Sequence, residues 1–280
     1  MTSGADSVSS TRGSEFAHAV ADTLAMAYRN VLHMSRLPEV LVFGLLQPVM
    51  FVLLFSYLFG GSMEVAGTTD PGVYREFVMA GIFAQSVSFA TVSASAGIAD
   101  DIHKGLIYRF RSLPMSRSSV LSGRTLADSA RSVLSIAILS VVATLVGWRI
   151  HLGIAKALGA FALLVLLGYA FSWVGALIGL WARSPEAATT GGVVWLFPVV
   201  FISNAFLDLR NMHPFLRAIA EWNPFSATVQ GCRQLFGNPG VAESAAWPMQ
   251  HPIWASLVWS ILIIAVFRAA AVYKYRTLTL

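Results

Sequence analysis

Residues 157–181, ALGAFALLVLLGYAFSWVGALIGLW, form an apolar run that contains no charged side chain. An α-helix needs about 20 predominantly apolar residues, at about 1.5 Å of rise each, to cross the hydrocarbon core of a bilayer. Lys156 and Arg183 flank the run, so the nearest charges stand at its two ends. The run therefore predicts a transmembrane helix.

Five further segments resemble this run in length and apolarity. Hydrophobic residues make up 56% of the 280-residue chain and charged residues 12%, whereas soluble domains carry about 25% charged residues. This composition excludes a soluble globular domain, a disordered chain and a fibrous repeat. The sequence predicts an all-α membrane protein with six transmembrane helices, at residues 39–59, 77–99, 128–147, 157–181, 187–207 and 252–273.

The N-terminal residues precede the first predicted span and carry a different pattern. Residues 1–14 have no apolar core and are expected to form a flexible cytoplasmic tail rather than a signal peptide. Ser14 is suited to cap a helix, and apolar residues then recur every three or four positions. Residues 15–36 are therefore predicted to form an amphipathic helix in the membrane interface, either as a plain anchor or as a lever for a cytoplasmic partner.

The distribution of basic residues predicts the orientation. If the N-terminus is cytoplasmic, 13 of the 19 Lys and Arg residues lie on or near the inner side, as the positive-inside rule requires. Six spans then return the C-terminus, with Lys274 and Arg276, to the cytoplasm. The sequence thus predicts a multi-pass protein of the cytoplasmic membrane. The net charge of +5 is attributed to inner loops and not to nucleic-acid binding.

Several kinds of function lack their sequence signals. The chain has no GxxxxGK[ST] phosphate loop, no HExxH zinc motif and no GxSxG nucleophile elbow. No histidine lies in the middle of a predicted span, and no span carries a charged stripe for an ionic pore. Asp128 and Arg131, spaced i, i+3, are predicted to pair near the inner end of their span. These patterns argue against an enzyme, a metalloprotein, a channel and an ion-coupled carrier, and favour a transporter driven by an external energy source.

The loop between the second and third spans, residues 100–124, is strongly basic. Gly105 permits a turn, and apolar residues then follow at helical spacing until a proline ends the segment. The pattern predicts a short amphipathic helix with apolar knobs and a basic rim, suited to a groove on a soluble partner; a plain basic inner loop is an equal alternative. The residues concerned are Gly105, Leu106, Arg109, Phe110, Arg111, Pro114 and Arg117.

Three stretches of the chain resemble one family of membrane proteins. The loop sequence GLIYRFRSLPMSR (105–117) is similar to a loop of type-2 ATP-binding-cassette (ABC) export permeases, and most of all to the daunorubicin/doxorubicin-resistance permeases. RNVLHMSRLPEVLVFGLLQPVMFVLLFSYLFGG (29–61) resembles the first span of that family, and HPFLRAIAEWNPFSATVQGCRQLFGN (213–238) its outer segment before the last span. The resemblance covers nearly the whole chain, and residues 37–280 would form the six-span type-2 ABC transmembrane domain.

The resemblance implies a division of labour between subunits. Such permeases pair as homodimers or with a paralogous permease, above two ABC ATPase subunits. The loop helix at residues 105–113 would be the coupling helix that docks on the ATPase. ATP and magnesium would be bound by the partner ATPase, and this chain would bind no cofactor of its own. It would supply the translocation path, by alternating access or by lateral release into the lipid.

Polar residues within the spans are candidates for that path. Gln47 and Pro48 interrupt the first span, Gln85 and Ser88 lie in the second, and Ser203-Asn204 break the fifth. Buried polar groups in lipid must face protein or a cavity, so a purely structural role is the alternative for each. In the fourth span, Gly168, Ser172, Gly175 and Gly179 form a small-residue stripe that predicts a helix-packing face rather than a cargo site.

The segment before the last span is expected to lie at the outer surface. Residues 215–236 are interrupted by Asn-Pro and are predicted to form a re-entrant helical hairpin, with aromatic residues at the outer interface. The candidate outer gate is the centre of this segment, formed by Trp222, Asn223, Pro224 and Phe225. The alternative is that the segment forms a lid of surface helices.

The sequence as a whole favours the membrane subunit of an ATP-driven efflux pump for amphipathic cargo such as a drug, an antibiotic or a lipid. Export of a polysaccharide or glycolipid precursor by the same machinery is the alternative within transport. A membrane-embedded enzyme or scaffold without a transport role is the alternative from another class.

Overall fold

The computed structural model describes residues 38–58, 65, 67–105, 117–207, 209, 212–240 and 244–277. Within these ranges the chain forms ten α-helices and one isolated bridge between Val65 and Thr68. The helices are α1 Pro38–Tyr57, α2 Pro71–Ser88, α3 Ala90–His103, α4 Arg117–Val146, α5 Gly153–Trp181, α6 Pro185–Phe201, α7 Pro214–Trp222, α8 Pro224–Phe236, α9 Trp247–Gln250 and α10 Pro252–Thr277. The predicted tail at 1–14 and the predicted interfacial helix at 15–36 lie outside the described residues.

A helix is present at each of the six predicted spans, which confirms an all-α membrane fold. Four helical segments of the described chain are long and apolar enough to cross a membrane: Pro71–His103, Leu121–Val146, Gly153–Trp181 and Pro252–Thr277. The apolar part of α1 covers Leu46–Tyr57, and α6 has 17 residues. By length and apolarity, four helical segments thus qualify as membrane spans. The apolar part of α1 and the whole of α6 are too short to meet the same criteria.

The second span is longer than predicted and has a brief interruption. Asp70 caps α2, with its Oδ1 accepting from the Gly72 amide at 2.8 Å, and Pro71 follows in the first turn. α2 and α3 together cover 33 residues. The N–H of Phe89, between them, still donates to the Gln85 carbonyl at 3.3 Å. The predicted range 77–99 misses both ends because polar residues there continue the helix.

Two other span boundaries differ from prediction. α4 begins at Arg117, eleven residues before the predicted start at Asp128. Asp128 and Arg131 therefore lie three to four turns from the start of α4, and their place near the inner end of the membrane span stays a prediction. α6 ends at Phe201 instead of residue 207, since Ile202 leaves helical geometry with φ −89° and ψ 64°. Residues 202–207 follow α6 as bends outside any helix.

The bundle is organised around α5, whose side chains Phe171 and Trp173 are fully buried. α3 and α10 pack on either side of α5, and α8 packs against both α5 and α10. The glycine stripe of α5 faces α3: a Cβ on Gly179 would lie 2.5 Å from the Ser95 carbonyl oxygen, and one on Gly175 would collide with the Thr91 carbonyl. The prediction that this stripe is a packing face is confirmed.

The segment before the last span forms two helices, α7 and α8, that meet at Asn223. Two of the four aromatic residues that were predicted to lie at the outer interface are instead buried in the bundle. Phe215 and Trp222 are 68% and 56% exposed, whereas Phe225 and Phe236 are fully buried in the bundle. α7 thus presents an apolar face outward, while α8 is part of the core.

Candidate functional site

The predicted coupling segment lies almost entirely outside the described residues. Leu106, Arg109, Phe110, Arg111 and Pro114 are not described; only its two ends are. Gly105 has φ 68°, so the turn that the sequence predicts at this glycine is confirmed. Arg117 is the first residue of α4.

One ion pair joins the helices on either side of this loop, and a second lies along the end of α3. Asp101 of α3 accepts from Arg124 of α4 at 3.3 Å, and Asp100 accepts from Lys104 at 2.7 Å along α3. The Arg124 side chain also lies against Gly97, where a Cβ would collide with its guanidinium. The α3 and α4 helices are therefore in direct contact through Arg124 near the two ends of the loop.

A cavity of about 290 Å³ lies between α1, the consecutive helices α2 and α3, and α4. Two of the predicted path residues, Gln47 and Pro48, form its α1 wall. Sequence reasoning missed the rest of its lining, because these residues come from helices far apart in the chain. The polar members are Ser86, Ser93, Arg131, Ser132 and Ser135, and the remainder are Gly44, Phe89, Ala90, Val92 and Ala96.

A charged pair stands at the α4 wall of this cavity. Arg131 Nη2 donates to Asp128 Oδ1 at 3.1 Å, which confirms the predicted pairing. Ser93 Oγ of α3 donates to the same carboxylate oxygen at 3.1 Å. The Asp128 side chain is only 6% exposed and does not line the cavity, whereas Arg131, at 27%, does. The cavity surface thus presents the cation, with the carboxylate behind it.

The other predicted path residues lie apart from this cavity. Gln85 is 6% exposed, as predicted for a polar side chain that avoids lipid. Ser88 is fully buried, and its Oγ donates to the Ala84 carbonyl at 2.7 Å within its own helix. Both face the protein interior.

Ser203 and Asn204 join the end of α6 to α8. Ser203 Oγ donates to the Val200 carbonyl. The Asn204 amide N–H donates to Ser226 Oγ, and Asn204 Nδ2 donates to the Ser226 carbonyl, both at 3.2 Å. The helix predicted as the fifth span thus ends just before Ser203 and Asn204, and these two residues are bonded to α6 and α8.

The predicted outer gate is the elbow between α7 and α8. Asn223 Oδ1 accepts from the Phe225 amide at 2.9 Å and caps α8, and Pro224 occupies the first turn. Asn223 Nδ2 donates to the Val199 carbonyl at 2.7 Å and to the Ile202 carbonyl at 2.8 Å. One side chain therefore starts α8 and holds the last turn of α6 against it.

A buried arginine in α8 was not predicted. Arg233 is fully buried; its Nε donates to the Phe77 carbonyl at 2.8 Å and its Nη2 to the Ala205 carbonyl at 2.9 Å. Its guanidinium carbon lies 3.5 Å from the centroid of the Phe77 ring. Arg233 thus bridges α2, α8 and the segment after α6. A lone arginine in a mostly apolar helix was the available signal.

No three His, Cys, Asp or Glu side chains within the described ranges come together in a way that could hold a metal ion. The arrangement is that of a membrane helix bundle with a partly open amphipathic cavity between α1, α2–α3 and α4.

The sequence pattern of ABC-2 type transporters matches residues 21–236. The chain belongs to the ABC-2 type transporter family. The resemblance inferred from the three sequence stretches is confirmed. The chain is therefore a multi-pass membrane protein and a permease subunit of an ABC exporter.

Similar proteins include permeases named for drug resistance. The chain is 33% identical over 219 residues to the daunorubicin resistance ABC transporter permease protein DrrB1 of Streptomyces coeruleorubidus, covering 78% of this chain and 76% of that protein. It is 26% identical over 186 residues to the doxorubicin resistance ABC transporter permease protein DrrB of Mycobacterium tuberculosis, covering 65% and 63% respectively. It is also 26% identical over 224 residues to the putative transport permease ycf38 of Porphyra purpurea, covering 76% and 73%.

Proposed function

We propose that this ABC-2 permease exports amphipathic cargo, such as a hydrophobic drug, an antibiotic or a lipid, across the cytoplasmic membrane. The observation that carries the proposal is the cavity between α1, α2–α3 and α4, which has a polar wall around Arg131 and an apolar wall around Phe89. A site with both kinds of wall suits a molecule with both kinds of surface. The names of the drug-resistance relatives support the same class of cargo.

The energy comes from a separate ABC ATPase, which binds ATP and magnesium. The predicted coupling helix at residues 105–113 docks on that subunit, with Leu106 and Phe110 as apolar knobs and Arg109 and Arg111 as the basic rim. The Asp101–Arg124 ion pair supports this role, because it links the two helices that flank the loop. Movement of the docked helix then displaces α3 and α4, which both line the cavity.

The permease works as a pair, either with a second copy or with a paralogue. α1 and α6 carry exposed apolar side chains, among them Met50, Tyr57 and Phe197, and these faces are available to lipid or to a second subunit. The short helices α1 and α6 complete six spans, with both termini in the cytoplasm. Cargo passes from the cavity outward past the broken end of α6, and Trp222, Asn223, Pro224 and Phe225 form the outer gate.

Membership in a transporter family argues against the alternative of a membrane enzyme or scaffold. It does not separate drug or lipid export from export of a polysaccharide or glycolipid precursor. The cavity favours the former, since its one aromatic wall residue, Phe89, offers little surface for sugar stacking.

The proposal is tested by weakening the contact between the permease and its ABC ATPase subunit. The double variant Arg109→Glu, Phe110→Ala removes one rim cation and one knob. ATP-driven uptake of a fluorescent amphiphile that the unaltered permease transports into inside-out vesicles should fall by at least about tenfold, because loss of an anchoring residue at an interface costs about 2 kcal/mol or more. The amount of permease in the membrane and its thermal unfolding temperature should stay unchanged.

The matched control is Arg149→Glu with Leu152→Ala, an equivalent change at the exposed α4–α5 connection. This control should transport normally. Undiminished uptake by the Arg109, Phe110 variant would rule out the loop as the coupling element. An absence of ATP-dependent transport of any amphiphile by the unaltered permease and its ATPase would rule out the proposed activity.

A further inference from the structure

The side chains that line the cavity beside Arg131 differ in the hydrogen-bond donors that they can offer to a bound molecule. Ser93 Oγ donates to Asp128 Oδ1 at 3.1 Å, and Ser132 Oγ donates to the Asp128 backbone carbonyl at 3.0 Å. A hydroxyl has a single proton to donate, so these two serines can only accept from a molecule in the cavity. The other neutral polar side chains of the lining, Gln47, Ser86 and Ser135, can also donate.

Arg131 supplies the charged donor among the described residues that line the cavity. A guanidinium carries five N–H groups in a planar fork. Within the described part of the chain, its hydrogen bond is the one from Nη2 to Asp128 Oδ1, at 3.1 Å. The side chain is 27% exposed and lines the cavity, so its other N–H groups are available to an occupant. Hydrogen-bond acceptors, and anions above all, satisfy them best.

The position of Asp128 determines the sign of the preferred charge. Its side chain is 6% exposed and lies behind Ser93 and Arg131, so a cation in the cavity would meet the guanidinium before the carboxylate. Arg131 lies ten residues from the start of the apolar helical segment Leu121–Val146.

The size of the cavity limits what part of a molecule it can hold. Its volume of about 290 Å³ is at the lower limit of small-molecule sites, which span about 300–1,000 Å³. A headgroup fits within this volume, and the larger apolar part of an amphiphile then extends out of the cavity along the neighbouring helices. Next to the cavity residues, Leu46 and Met50 on α1 and Leu134 on α4 are exposed apolar side chains. An acyl chain can lie along these surfaces while the headgroup occupies the cavity.

We propose that the cavity binds the anionic headgroup of an amphiphile, with the Arg131 guanidinium as its cationic contact and the apolar chain left in the bilayer. The headgroup is a phosphate or a carboxylate. The amphiphile is either the transported cargo or a resident membrane lipid. The inference depends on the proposed function only where it identifies the amphiphile as cargo.

Binding is measured on the full-length permease in mild detergent by native mass spectrometry. The probes are dioleoyl phosphatidic acid, dioleoyl phosphatidylcholine and dioleoylglycerol, which share the same chains and differ in headgroup charge. The unaltered protein should bind the phosphatidic acid about tenfold more tightly than the other two, the effect expected of a charge-assisted hydrogen bond. Equal binding of the three lipids would overturn the proposal.

The variants assign the preference to one side chain. Arg131→Gln should abolish the preference for phosphatidic acid, and Arg131→Lys should keep part of it because the charge remains. Arg268→Gln is the matched control: Arg268 lies in the α10 span, over the Trp173 ring at 5.8 Å, and does not line the cavity. A preference that survives in Arg131→Gln, or that is lost equally in Arg268→Gln, would overturn the proposal.

A second variant guards against misfolding, because Arg131→Gln leaves Asp128 without its cationic partner. Ser135→Leu fills the cavity and leaves the Asp128–Arg131 pair intact. It should reduce phosphatidic acid binding to the level of phosphatidylcholine, and unchanged binding would count against the site. Oleylamine tests the opposite sign: if it binds more tightly than phosphatidic acid, and Asp128→Asn removes that binding, the cavity selects cations instead.

A transport measurement then separates the two sources of the headgroup. If Arg131→Gln loses phosphatidic acid binding and also ATP-driven transport of fluorescent phosphatidic acid, the ligand is cargo. If it loses binding while transport of amphiphiles is unchanged, the site holds a resident lipid. If the unaltered protein binds phosphatidic acid but transports no amphiphile, the binding site stands and the proposed function fails.

Discussion

At the scale of single residues, Asn223 performs several structural tasks with one side chain. Its Oδ1 caps α8, and its Nδ2 satisfies the Val199 and Ile202 carbonyls at the end of α6. Carbonyls freed at the end of a helix need a partner, since burial without one is costly. Asn223 therefore stabilises a helix start and a helix end that are 21 residues or more apart in sequence.

Replacing Asn223 should destabilise the outer half of the bundle. Asn223→Ala loses the cap and both amide hydrogen bonds, and we expect the free energy of unfolding to fall by about 2–4 kcal/mol. Asn223→Ser keeps a cap oxygen and loses only the amide donors, so its loss should be smaller by about 1 kcal/mol. Thermal unfolding of the detergent-solubilised protein, followed by size-exclusion chromatography, measures both. Identical unfolding of Asn223→Ala and the unaltered protein would refute this role.

The residue scale is also where sequence reasoning reached least far. The i, i+3 spacing was enough to predict the Asp128–Arg131 pair, because both residues belong to one helix. Ser93, which donates to the same carboxylate, is 35 residues away on another helix, and no local pattern relates the two. The carbonyl partners of Arg233 are likewise invisible, since every residue has a backbone carbonyl and only the tertiary fold selects two of them.

At the scale of elements, helices were easier to predict than their ends. Hydropathy found a helix at each predicted span because burial in lipid requires apolar side chains. It misplaced the start of α4 because the run RSSVLSGRTLA, residues 117–127, is polar. Those residues are helical nonetheless, since a helix projecting from the membrane needs no apolar surface there. The same reason explains why α2–α3 extends beyond the predicted span at both ends.

The contact between α3 and α5 yields a prediction at this scale. Gly175 of α5 faces the Thr91 carbonyl so closely that a Cβ would collide with it. Thr91 Oγ1 also donates to the Phe171 carbonyl at 3.1 Å. Gly175→Ala should force the helices apart and lower the free energy of unfolding by about 1–3 kcal/mol.

Gly159, two turns from the start of the same helix, provides the control. A Cβ there would meet only Leu235 Cδ1 at 3.7 Å, an ordinary contact. Gly159→Ala should leave the unfolding temperature unchanged or raise it, since alanine favours helix more than glycine does by about 1 kcal/mol. If the two variants unfold alike, close α3–α5 packing at Gly175 is not a determinant of stability.

At the scale of the whole molecule, the number of spans and the side of each terminus depend on whether α1 and α6 cross the membrane. The four long helices alone would place the C-terminus on the side opposite to residues 106–116, whereas a crossing by α6 returns it to the same side. The chain has one cysteine, Cys232, which is fully buried. Introduced cysteines can therefore be labelled against a background of low reactivity.

We expect single cysteines to report six spans. With Cys232→Ser as the background, a membrane-impermeant maleimide should label Ser62→Cys in intact cells. Ser116→Cys and Thr279→Cys should be labelled only after permeabilisation, since both lie on the inner side in the proposed topology. Labelling of Thr279→Cys in intact cells would mean that α6 does not cross. Labelling of Ser116→Cys in intact cells would contradict the inner location of the coupling loop.

Arg233 bears on the order in which this protein is made. Both carbonyls that receive its hydrogen bonds, those of Phe77 and Ala205, precede it in the chain. Because a ribosome releases the polypeptide from its N-terminus, both acceptors have left the exit tunnel before the arginine does. The guanidinium therefore binds to carbonyl groups that have already been synthesised. Its two hydrogen bonds connect α2 and the segment after α6 only once α8 has been made.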